Sequence, residues 1–74
     1  MARTLDCLPI GQSAHVLRLR VEPGRRQRLM DLGFITGQTV TALMRSPLGD
    51  PVAYQVLDTV IALRKSDSSQ IDIA

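Results

Sequence analysis

The hydrophobic period changes along the chain, and glycines and prolines mark where. Leu5 and Leu8 lead into Pro9-Ile10-Gly11, a turn signal. Residues 13–21, SAHVLRLRV, mix apolar and cationic positions in the manner of a half-buried strand. Pro23-Gly24 then opens RRQRLMDLG, and the spacing predicts a helix over 24–32. Proline is tolerated at a helix start because its missing N–H would have no partner there anyway. Gly33 stands where the residue after a helix turns to positive φ. On a wheel of about 100° per residue, Leu29, Leu32 and the Arg25 stem share one side, while Gln27 and Asp31 point away.

Beyond FITGQ the period returns to two. TVTALMR (39–45) alternates Val40, Ala42 and Met44 against Thr39, Thr41 and Leu43. SPLGDP (46–51) is a turn cluster, and VAYQVL (52–57) alternates again with Val52, Tyr54 and Val56 on one face. Asp58-Thr59 is the expected tight turn before the strand VIALR (60–64). Ser66 to Gln70 reads as one helical turn, and IDI (71–73) as a short last strand. The pattern predicts an all-β (mainly β) domain over 1–74. Its form is a small SH3-like barrel of about five strands with one short α-helix. Closure of the barrel would hide the strand edges. The expected core is Val16, Leu19, Leu29, Leu32, Val40, Ala42, Val56, Ile61, Leu63 and Ile71.

Composition removes several functions. Nine basic residues face seven acidic ones, and the net charge of +2 is too small to argue for a nucleic-acid partner. One Tyr, one Phe and no Trp leave neither a base-stacking platform nor the aromatic groove that reads proline-rich peptides. The single Cys7 excludes an intramolecular disulfide. No apolar run approaches the roughly 20 residues of a membrane helix, and MARTLDCLPIG is too polar for a secretory leader. A reduced, cytoplasmic setting is expected, with any membrane reached through a partner. Cys7 and His15 have no further ligand at metal spacing, the carboxylates are scattered, and no GxxxxGK phosphate loop is present. The residues predict no enzyme, no cofactor and no metal site.

Three ordered segments carry a family resemblance. LMDLGFITGQTV (29–40), SPLGDP (46–51) and IALRKSD (61–67), followed by IDI (71–73), resemble the FeoA family over nearly the whole chain. One departure is Asp58, where many such sequences carry Gly. The resemblance implies a small cytosolic SH3-like barrel associated with ferrous iron uptake. It also implies a partner, an FeoB-type membrane iron transporter with a cytosolic GTPase domain. A weak homo-oligomer is admitted beside it. The expected contact surface is the helix and the 46–51 loop. Arg25, Arg26 and Arg28 would supply orientation, while Met30 at the helix rim and Leu48 at the loop tip would supply apolar anchoring. The alternative reading is a basic SH3-like module that binds nucleic acid or serves as a general protein-interaction domain.

Overall fold

The structure is a computed structural model, and it describes residues 3–74. Six strands form one antiparallel sheet: β1 (Arg3–Thr4), β2 (Ser13–Leu19), β3 (Thr39–Arg45), β4 (Val52–Val56), β5 (Thr59–Leu63) and β6 (Ile71–Ile73). Their spatial order is β1-β6-β2-β3-β4-β5, so the last strand lies between the first two. The helix α1 (Pro23–Asp31) crosses from β2 to β3, and one turn, α2 (Lys65–Ser68), joins β5 to β6. A 3-10 turn over Leu5–Cys7 comes directly after β1.

Two bulges decide which side chains face inward. Between β2 and β6 the register runs Val16↔Ile73 and then Arg18↔Asp72, which leaves Leu17 as an extra residue. Val16 and Leu19 are therefore both buried although they are three apart, and Leu17 and Arg18 both face outward. Between β3 and β4 the register runs Ala42↔Tyr54 and then Met44↔Ala53, which leaves Leu43 extra. Strict alternation places Met44 inside with Val40 and Ala42. The bulge turns it out, and it is 63% exposed.

The core gathers Leu5, Leu8, Val16, Phe34, Val40, Tyr54, Val56, Ile71 and Ile73 with smaller neighbours. Tyr54 lies within it, and its hydroxyl donates to the Leu5 carbonyl at 3.4 Å. Of the residues expected inside, Ile61 is only half-buried, packed at the margin of the core, and Leu32 is out. Leu32 sits at the helix C-cap, just past the end of α1, and Leu29 is the helix residue that is buried.

The helix ends in a complete Schellman motif. Gly33 N–H donates to the Met30 carbonyl and Phe34 N–H to the Leu29 carbonyl, each at 3.0 Å. Phe34 is thereby carried back beside Leu29, and both are buried. Gly33 has φ of 116°, and a Cβ there would stand 2.6 Å from Val56 Cγ1 and 3.2 Å from Leu57 Cδ1.

The β4–β5 hairpin differs from its expected form. Its two turn residues are Leu57 and Asp58, not Asp58 and Thr59, and the positive φ of 55° falls on Leu57. A leucine in that conformation is costly. Its side chain lies in the space that Gly33 leaves open. The sheet also remains open. Among the described residues β5 pairs with β4 alone, so the expected closure does not hide this edge.

Gly33→Ala is expected to destabilise the domain by about 2 kcal/mol or more, from overpacking added to an unfavourable φ. Urea unfolding of the two proteins measures it, and equal midpoints would refute the close approach.

Candidate functional site

The outward Leu17 borders an apolar surface groove. This open groove of about 290 Å³ lies between β2 and α1, with Leu17 as one wall. Leu19 and Phe34 make its buried floor, Leu17, Met30 and Ile35 its apolar walls, and Arg18 and Arg26 its charged rim. The three wall residues are each 40–46% exposed. The end of the groove is fixed by Thr36, whose Oγ1 donates to the Leu17 carbonyl at 3.1 Å.

The residues named from the sequence divide between places. Arg26 and Met30 meet in this groove. Arg25 does not join them, because its Nη1 lies 2.6 Å from Asp67 Oδ1 and ties α1 to α2. Arg28 is exposed and, among the described residues, makes no ion pair. Leu48 stands apart on the β3–β4 loop, 96% exposed. That loop is held at both ends. Gly49 N–H donates to the Ser46 carbonyl at 2.8 Å, and Asp50 Oδ1 accepts from the Lys65 N–H at 2.8 Å, so Asp50 caps α2 from outside it. Periodicity alone does not single out Leu17 and Ile35. The available signal is a leucine on the outward phase of a strand whose other outward residues, Ser13 and His15, are polar.

The basic stripe on β2 is neutralised from within. Asp72 of β6 is 6% exposed and receives Arg20 at 3.0 Å and Arg18 at 3.3 Å. The Arg20 hydrogen bond, more than any other influence, holds the Asp72 carboxyl below the usual carboxylate range, against the opposing effect of burial. Burial pushes the Tyr54 hydroxyl up. Cys7 and His15 are exposed, and among the described residues no three His, Cys, Asp or Glu side chains cluster as a metal site would require.

The FeoA domain family profile matches residues 3–74. The chain belongs to the FeoA family. It is 33% identical over 69 residues to the Fe(2+) transport protein A/Fe(2+) transporter FeoB fusion protein of Porphyromonas gingivalis, covering 93% of this chain and 8% of that protein. The solution structure of FeoA from Chlorobium tepidum superposes with a TM-score of 0.90 at 33% identity, over 95% of this chain and 67% of that one. The zinc-complexed FeoA of Stenotrophomonas maltophilia, described as a procaryotic SH3 domain protein, gives 0.84 at 32% identity over 96% and 88%. The fold is thus SH3-like, and the family is one associated with ferrous iron transport. Among the described residues no helix is long and apolar enough to cross a membrane.

The depressed Asp72 pKa has a definite sign. A carboxylate whose pKa is lower folded than unfolded stabilises the fold above about pH 4 and loses that contribution as pH falls through its folded value. At pH 7 Asp72→Asn is expected to cost about 1 kcal/mol, since both arginine partners are substantially solvated. The gap to the parent should narrow below about pH 4 in denaturant titrations. A gap that is constant from neutral pH down to the acid limit of folding would refute the ion-pair assignment.

Proposed function

We propose that the chain is a non-catalytic, cytoplasmic accessory of ferrous iron uptake that docks on an FeoB-type transporter. The observation that carries the reading is the P. gingivalis relative, in which an FeoA segment and FeoB form one polypeptide. Two functions fused in one chain act at one place, and separate chains achieve the same by docking. Ferrous iron is the transporter's cargo in this reading, and the accessory domain touches protein.

The α1–β2 groove suits such a contact. An apolar trough with Arg18 and Arg26 at its rim fits an apolar side chain flanked by carboxylates. Met30 adapts to the shape of what enters, because its thioether chain is unbranched. Leu48, on a loop held by Asp50, provides a second apolar contact whose ordering costs little. The target is the transporter's cytosolic region with its GTPase domain, the part that faces the compartment in which this chain is expected.

Met30→Ser and Leu48→Ser are each expected to weaken binding to that cytosolic region about tenfold, as loss of an apolar anchor does. Arg26→Glu should lower the association rate and its salt dependence. Surface plasmon resonance with purified, fold-checked variants reads all three. Binding equal to the parent's in every variant would place the docking surface elsewhere.

A further inference from the structure

The two edges of the sheet are unequal. Among the described residues β1 spans only Arg3–Thr4 and carries a charge at Arg3, features that resist strand addition. β5 is five residues, Thr-Val-Ile-Ala-Leu, with no charge and no proline. Its neighbour β4 reaches it through a two-residue turn, so Val56 and Thr59 form the closing hydrogen-bonded pair. Alternation then directs the backbone groups of Thr59, Ile61 and Leu63 toward β4 and those of Val60 and Ala62 toward the free side. Among the described residues, nothing accepts from or donates to those free groups. Val60 is 62% exposed, and the outer face beside it continues through Ala62, Ala53 and the outward-turned Met44.

We propose that this edge is a self-association surface, on which β5 pairs antiparallel with β5 of a second copy about a two-fold axis at Ile61. Three features select a second copy. The first is the hydrogen-bond phase. Centring on Ile61 sets Val60 opposite Ala62 of the second copy, and these are the residues whose N–H and C=O groups are free on both strands. Each such pair exchanges both bonds. The second is charge. The same register sets Asp58 opposite Arg64 of the second copy, and the symmetry repeats the pairing. Among the described residues Asp58 has no ion pair within its own chain, and Arg64 reaches Asp50 only at 3.8 Å while remaining 72% exposed. The third is the absence of repulsion, since Thr59 to Leu63 meets itself without any charge. The joined sheet covers Val60, Ala62 and the edge of Ile61 in each copy. So short an interface gives a weak, concentration-dependent dimer.

Sedimentation velocity from about 1 μM to about 1 mM of the full chain tests this. The mass should rise from 8.1 kDa toward twice that value. Ala62→Pro removes one free N–H without touching the β4 ladder and should abolish the rise. Asp58→Arg sets Arg against Arg64 and should weaken association about fivefold or more, and adding Arg64→Asp should restore it. Each variant is first matched to the parent's melting temperature. A parent that stays monomeric throughout overturns the proposal. So does a dimer indifferent to Ala62→Pro, or a charge swap that fails to restore what Asp58→Arg weakens. A monomeric parent whose capture by the transporter's cytosolic region is lost with Ala62→Pro would assign the edge to a foreign strand, and would overturn self-association equally.

Discussion

Gly33 has no side chain, and the β4–β5 hairpin fills the place where one would be. The contact is closer than any Cβ allows, with Val56 at its centre and Leu57 beside it. Much of the molecule is set by it. The positive φ of Gly33 ends α1 and carries Phe34 back into the core beside Leu29. The close approach holds the C-terminal end of the helix against the hairpin, while the Arg25–Asp67 pair holds its first turn to α2. Tied at both ends, a helix that buries only Leu29 keeps a fixed position over the sheet. The groove beside it inherits that definition. Leu57, in turn, occupies a conformation leucine avoids, and the open space over Gly33 receives its side chain.

The architecture is largely readable from the chain. The helix, its glycine stop, the alternating strands and the proline-bounded loop all come from local chemistry. Where sequence and structure part, the strands share one cause. A bulge changes strand phase with no residue type to announce it, so alternation puts Met44 inward. Phe34 is legible in principle, because the residue two past a helix C-cap customarily packs against the last turn. Leu57 is not. Nothing in the string LDT says that leucine will take the strained position while aspartate, better suited to it, does not. The candidate site is half legible. Helix periodicity places Arg26 and Met30 together at a rim, but their companions Leu17 and Ile35 come from a strand and a turn that only tertiary structure brings near.

Charge tells a similar story. Eight arginines in so short a chain suggest a basic surface, yet their partners divide them. Arg18 and Arg20 converge on Asp72, Arg25 on Asp67, and Arg64 approaches Asp50. These pairs join β2 to β6, α1 to α2, and the β5 end to the β3–β4 loop. Much of the positive charge thus serves as cross-links between elements distant in sequence. Among the described residues Arg26 and Arg28 have no carboxylate partner, and Arg26 stands directly at the rim of the apolar groove.

The position of β6 has a consequence in time. Its three residues are all buried and lie between β1 and β2, so Ile73 pairs with Arg3 on one side and with Val16 on the other. Those pairings close loops of nearly the full length of the domain, which is entropically slow. As the chain leaves the ribosome, the β2–β3–β4–β5 meander and its helix can assemble from neighbours already made. The slot between β1 and β2 stays empty until residues 71–73 emerge, and until then the side chains of Leu5, Val16 and Leu19 lack their cover. The sheet is therefore completed by β6, and a chain made only as far as residue 70 holds β1 and β2 apart with no strand between them.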